Sequence, residues 1–234
     1  MIEKEIQTNF SSSVHFSVLG KAETKELEGV PKEELTTAIK ELVAKKTKIP
    51  ANKVFVLDQV HGDKFYNTKD LVNEVVDGDA LYTTKPDEVL VVKTADCMPI
   101  FFWSEKEKLI GIIHSGWKGT ELGISEKLFS HLKQQGHSLD SIHVYLGPCA
   151  RKKNYEVAGD LFEKFKAYSP EAIEPKGNQK YSLGIDIVLK KRFLENQIPI
   201  QFSDSGICTI ENPDYHSHRC KDMGRNLNII YMSE

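Results

Sequence analysis

VLVVKTADCMPIFFWSEKEKLIGIIHSGW, residues 89–117, holds three near-continuous apolar runs, Val89–Val92, Ile100–Trp103 and Leu109–Ile113, rich in β-branched and aromatic side chains. Runs of this kind suit central strands covered on both faces rather than a half-exposed sheet. The polar residues fall where the runs end: Asp96 and Cys97 after the first, His114 after the third. Strand ends are where chains place functional groups on a rigid frame.

Upstream, Val54–Leu57 reads as another strand, running into Gln59-Val60-His61-Gly62 and so leaving His61 at a strand end or in the next turn. A helix is expected from Pro31, with Leu35, Ala38, Ile39, Leu42 and Val43 at helical spacing and Pro50 barring continuation. Downstream, Ile124, Leu128, Phe129 and Leu132 predict a helix ending near Gly136, and Ile142–Leu146 a strand entering Gly147-Pro148. Further helices are expected at about 156–168 and 186–196, and strands near 206–210 and 227–232. The polar stretch Ser169–Ser182 reads as a surface loop. With no repeat, linker or low-complexity tract, the expectation is one mixed α/β (α+β) domain over residues 1–234.

Thirty-one basic residues against 34 acidic ones give a net charge of −3, which excludes the basic footprint of a general nucleic-acid binder and leaves small-molecule chemistry as the default. The first twenty residues lack the apolar core of a secretory signal, and the most apolar stretch, Cys97–Trp103, is too short to span a bilayer. A soluble, cytoplasmic protein is expected. The four cysteines, at 97, 149, 208 and 220, show no CxxC spacing, so they read as thiols rather than as a disulfide scaffold or zinc ribbon. GxGxxG, Walker A, HExxH and the zinc deaminase pattern are all missing.

His61, Cys97 and His114 form a donor set suited to zinc, with a fourth position left open for water or substrate. The same residues also fit a metal-free hydrolase in which Cys97 is the nucleophile and a histidine its base, or simply half-buried core positions. Asp96 can orient a histidine in either scheme, or cap a turn. Asp77 and Asp79 read as a turn with Gly78 taking an unusual backbone angle, and Glu156 as an acid at a helix start. Trp117 suits aromatic stacking on a ligand or the core, Cys149, Cys208 and Cys220 are expected to be plain thiols, and His216 with His218 raises a second metal site against simple exposure.

Taken in order, QVHG (59–62), DGDALYT (77–83), TADCMPIFF (94–102), HSGWKG (114–119) and GPCARKKNYEV (147–157) resemble the bacterial laccase-domain family, also called multicopper polyphenol oxidases and regarded as purine nucleoside phosphorylases. The likeness runs from about residue 54 to residue 230 and includes Cys208-Thr209, His218-Arg219 and Gly224-Arg225. It implies a layered α-β-β-α sandwich, with His61, Cys97 and His114 as ligands of Zn2+ (Cu2+ in the older naming). It also implies phosphorolysis of adenosine, inosine and 5′-methylthioadenosine, and deamination of adenosine. The partners implied are a purine nucleoside and phosphate, for a monomer or homodimer. On this reading Asp96 and Lys118 are the further catalytic candidates, and Arg151 and Tyr155 the substrate or phosphate contacts.

The departures fall on the phosphate side. The family's Thr-Arg-x-Gly-Gly-like segment is replaced around residues 10–21, and no arginine precedes Arg151. The arginine expected in HSGWKG is Lys118, a point charge instead of a bidentate fork, and Arg151-Lys152-Lys153 stands where a glycine is expected after GPC. The rivals are a copper-dependent phenol oxidase, for which eight histidines are few, the Cys97 hydrolase, and a binding protein that has lost phosphorolysis.

Overall fold

A computed structural model describes residues 2–7, 13–71 and 75–233. The replaced N-terminal segment therefore lies partly outside the described residues. In chain order, strands β1 (Ile2–Gln7) and β2 (Ser13–Leu19) lead through the short helix α1 (Lys21–Thr24) into α2 (Lys32–Thr47). There follow β3 (Val54–Val56), β4 (Phe65–Asn67), β5 (Ala80–Thr83), β6 (Val89–Thr94), β7 (Met98–Ser104) and β8 (Leu109–Ser115). Then come α3 (Trp117–Leu122), α4 (Ile124–Gln134), β9 (His143–Leu146), β10 (Glu156–Ala158) and α5 (Gly159–Phe165). The chain closes with β11 (Ile173–Gly177), β12 (Lys180–Leu183), α6 (Ile185–Glu195), β13 (Gln201–Asp204) and β14 (Asn226–Ser233).

The strands form a five-stranded sheet ordered β1-β2-β14-β6-β3, a six-stranded sheet ordered β13-β9-β7-β8-β5-β4, and a small sheet ordered β10-β12-β11. Both large sheets are mixed: β3 runs parallel to β6, β4 to β5 and β13 to β9, and the other pairs are antiparallel.

The apolar runs alternate between two buried faces, as a side-chain period of two requires. On β6, Val89 and Val91 pack under α2 with Ile39, Leu42 and Val43, while Leu90 and Val92 face the other sheet. On β7, Phe101 and Trp103 meet them between the sheets, while Ile100 and Phe102 turn outward beneath Leu128, Phe129 and Leu132 of α4 and Val188, Leu189 and Phe193 of α6. The layers are thus helix, sheet, sheet, helix, a mixed α/β single domain as the sequence led us to expect.

Gly111 of β8 stands opposite Phe102 of β7, and a Cβ there would lie 2.0 Å from the Phe102 ring. Gly111→Ala is expected to overpack this layer at a cost of about 1–3 kcal/mol, seen as a lower denaturant midpoint with an unchanged m-value. An unmoved midpoint would show that the ring is not wedged there.

α2 begins after Pro31, carries Glu33 and Glu34 in its first turn and Lys45 and Lys46 in its last, and ends on left-handed Lys48, whose amide donates to the Ala44 carbonyl at 2.9 Å. These charges complement the helix dipole. Several local expectations need correcting. The stretch 169–182 is not a loop but carries the β11–β12 hairpin, mostly exposed. The helix expected from 156 starts at Gly159, and Glu156 instead lies in β10, its carboxylate held below the usual range first by Lys180 at 2.6 Å. The strand expected at 206–210 lies at 201–204, leaving one bridge between Cys149 and Cys208. Gly78 has no left-handed backbone; what it supplies is space, since a Cβ would meet the Tyr66 ring at 2.8 Å. Among the described residues, no helix is long and apolar enough to cross a membrane.

Candidate metal centre

The first large sheet hands the chain to the second between Thr94 and Met98, and Cys97 lies in that crossing. His114 sits on the adjoining strand, paired with Pro99. His61 reaches the same place from the loop after β3, which is pinned by Gln59: its side-chain amide donates to the Lys93 carbonyl at 2.8 Å and its oxygen accepts from the Lys93 amide at 2.7 Å. The donor atoms of His61, Cys97 and His114 all lie within 4.8 Å of one another, and this is the one such group of three found among the described residues.

Asp79 organises this triad. It stands just before β5, whose antiparallel register with β8 sets it beside His114, and it is fully buried. One carboxylate oxygen accepts the His114 Nδ1–H at 2.7 Å and the His61 amide at 3.0 Å, and the other accepts the Gly62 amide at 2.6 Å. The carboxylate holds the proton on Nδ1, so Nε2 is the nitrogen left to face the triad, where a bound metal ion would displace its proton, as metal-binding histidines require. Burial pushes the Asp79 carboxyl up, but the His114 ring and the two amides outweigh it and hold it below the ordinary value. Burial likewise raises the Cys97 thiol, yet His114 and His61 draw it down to about 6; burial lowers His114, while Asp79 and Cys97 hold it up at about 9. Neutral thiol is therefore the minor form of Cys97 at pH 7, and the thiolate is the form that ligates metals.

Gly116 closes over the thiol. A Cβ at this position would lie 2.7 Å from Cys97 Sγ, so only glycine lets the His114–Trp117 turn approach so closely. The triad opens into a cleft of about 980 Å³ whose wall includes Gln59, Lys93, Asp96, Trp117, Tyr155, His218, Arg219, Lys221 and Arg225. A second cavity of about 420 Å³ adjoins it, sharing Leu35, Lys93, Met223 and Arg225.

The other expected site residues separate. Tyr155 lines the cleft, its ring 4.9 Å from the Arg219 guanidinium and its phenol raised to about 12, first by burial. Asp96 also lines it but makes no hydrogen bond to either histidine; its oxygens accept the Thr209 hydroxyl at 2.7 Å and the Arg219 amide at 3.0 Å. The orienting role expected of Asp96 thus belongs to Asp79, which the sequence presented as a turn residue. Lys118 is exposed and lies outside the cleft lining. Arg151 is consumed structurally, its guanidinium on Asp204 at 2.7 and 3.0 Å, on Asp186 at 3.0 Å and on the carbonyls of Gly147 and Ile207. No donor of that group is left for a substrate anion. Lys152 and Lys153 pair with Glu174 and Glu211. His216 is buried against the Thr24 hydroxyl at 2.9 Å while His218 is exposed, and the two share no metal cluster.

A His-Cys-His group with these distances and a thiolate-favouring thiol fits a single soft-to-borderline ion such as zinc or copper rather than magnesium or calcium. Comparison with known proteins agrees in fold. A Neisseria meningitidis protein superposes with a TM-score of 0.80 at 19% identity over 99% of both chains, and YlmD of Geobacillus stearothermophilus with 0.79 at 20% over 100% of both. Among curated relatives, a purine nucleoside phosphorylase of Rickettsia conorii is 30% identical over 119 residues, 51% of this chain and 49% of its own. One of Staphylococcus saprophyticus is 36% identical over 122 residues, 50% and 44% of the two chains, so the match spans about half the length of these relatives. A third, of Mycobacterium tuberculosis, is 27% identical over 195 residues, 79% and 74% of the two chains. Residues 32–233 match the model of the multi-copper polyphenol oxidoreductase laccase family, and the chain belongs to that family.

Proposed function

We propose that this chain is a zinc-dependent purine nucleoside phosphorylase of the cytoplasm, acting on inosine, adenosine and 5′-methylthioadenosine, with adenosine deamination as a second activity. The observation that carries the reading is the triad of His61, Cys97 and His114, with Asp79 holding His114, on the lining of a cleft large enough for a nucleoside. Three ligands suit one ion with an open position. A multicopper oxidase needs several centres, and one cluster of donors is what the described residues offer. The relatives named purine nucleoside phosphorylase supply the substrate class.

An ion bound here supplies Lewis acidity next to the reacting nucleoside. The chain's own residues do the rest. Asp79 locks the His114 tautomer, Gly116 shapes the turn over Cys97, and Trp117 and Tyr155 present aromatic surface in the cleft wall. In phosphorolysis a phosphate oxygen bonds to C1′ of the ribose as the bond from C1′ to the purine nitrogen breaks. The electron pair leaves with the base, which takes up a proton, and ribose 1-phosphate remains.

The test is incubation of zinc-loaded protein with inosine, with and without phosphate. Hypoxanthine release that depends on phosphate is expected. No base release in either condition would overturn phosphorolysis, and inosine formed from adenosine without base release would leave a deaminase alone.

A further inference from the structure

The four arginines of the chain divide sharply. Arg151 is neutralised by Asp186 and Asp204, and Arg192 by Glu126 at 2.6 Å. Arg219 and Arg225 meet no carboxylate among the described residues, and both line the cleft beside the triad. Two guanidinium groups without a carboxylate partner on the lining of one cleft, in a protein of net charge −3, make a local positive field that an anion would satisfy. We propose that the segment from His216 to Arg225 forms the phosphate-binding site of the cleft, with Arg219 and Arg225 as its two guanidinium ligands and Lys93 as a third cation. The proposal rests on the phosphorolysis reading for the identity of the anion.

The backbone of the segment is fastened at several points. His216 and Asn226 exchange two buried hydrogen bonds, the His216 amide to Asn226 Oδ1 at 2.8 Å and Asn226 Nδ2 to the His216 carbonyl at 2.9 Å. Asp222 accepts the Ser217 amide at 2.9 Å and pairs with Lys21 at 2.8 Å. Gly224 lies so close to the His216 ring that a Cβ would meet it at 2.3 Å. Arg219 is held at its backbone by Asp96 and at its guanidinium by the Tyr155 ring. Arg225 gives only Nη1 to its own loop, to the carbonyls of Met223 at 3.0 Å and Gly224 at 2.7 Å, leaving Nε and Nη2 for a ligand.

Lys93, also on the cleft lining, donates to the Leu57 carbonyl at 3.1 Å. Burial pushes its ammonium below the usual lysine value, Asp58 raises it, and the nearby charge of Arg225 lowers it again. The two cations repel, and an oxyanion between them would relieve that repulsion. A guanidinium fork matches phosphate oxygens in pairs, which is the function the sequence lacks in its first 150 residues.

The test uses the full zinc-loaded chain and inosine, with phosphate as the varied substrate. Arg219→Gln and Arg225→Gln are each expected to raise the KM for phosphate about tenfold or more, leaving zinc content and the KM for inosine within about twofold, because a charge-assisted contact is lost without touching the metal ligands. Arg225→Lys should recover part of the loss. Unchanged phosphate KM in both glutamine variants overturns the proposal. If the wild-type protein releases no base at all, the phosphorolysis reading fails, and calorimetric titration with inorganic phosphate still decides the site. Binding lost in the double variant supports it, while binding equal in both proteins, or undetectable in the wild type, overturns it.

Discussion

Cys97→Ala is expected to leave a folded protein stripped of its metal. Zinc, expected near-stoichiometric in the wild type purified without added metal, should fall to background. Base release should fall roughly a thousandfold, since several kcal/mol of charge stabilisation vanish at about 1.4 kcal/mol per factor of ten. The fold should survive, because His114 keeps its bond to Asp79 and Cys97 is absent from all three hydrophobic clusters. Metal content by elemental analysis and unfolding by denaturant check the two halves independently. A variant that retains zinc as well as the wild type would remove Cys97 from the ligand set. A wild type without metal whose activity still depends on Cys97 would instead favour the Cys-His hydrolase, a rival supported by the thiol drawn down to about 6.

The second large effect is expected at Asp79. Asp79→Ala leaves the His114 Nδ1–H and the amides of His61 and Gly62 without their acceptor. The His114 donor is buried and the two amides partly so, and at about 1–3 kcal/mol for a buried orphan a loss of about 3 kcal/mol is expected in denaturant unfolding. Metal affinity should fall about 10–100-fold, the usual result of removing the carboxylate behind a ligating histidine. Asp79→Asn preserves shape and one acceptor, and should recover most of the stability while the affinity stays reduced. If Asp79→Ala bound zinc like the wild type, the carboxylate would be a loop fastener and nothing more.

The strands around 89–113 were legible in the sequence because their apolar runs are long and unbroken, and the helix of residues 32–47 because its apolar spacing is framed by two prolines. What was not legible follows from the same physics. When both faces of a strand are buried, the period of two leaves no polar trace, so nothing shows that Val91 faces a helix and Leu90 a second sheet. The hairpin at 173–183 lies mostly exposed and is polar like a loop, and Gln201–Asp204 is a short strand whose register comes only from its parallel partner at 143–146.

In the site, residue type and position at strand ends offered His61, Cys97 and His114 as one candidate set among others, and the resemblance of the motifs around them made it the leading one. Asp79 could not be picked out, because Asp-Gly-Asp is turn chemistry and its role depends on the pairing of Ala80 with Ile113. Arg151 misled for the converse reason: its carboxylate partners are 35 and 53 residues away in sequence, so a buried network looked like a solvated basic loop.

The crossing between the two sheets also bears on how such a protein changes over time. The three donor residues, His61, Cys97 and His114, belong to none of the three hydrophobic clusters that hold the layers together. Selection on the three donors and selection on the apolar core therefore act on different residues, while Asp79, Trp117 and Tyr155 answer to both. A lineage can rewrite the arginines and lysines of the cleft wall, or give up the metal altogether, while inheriting the same sandwich intact.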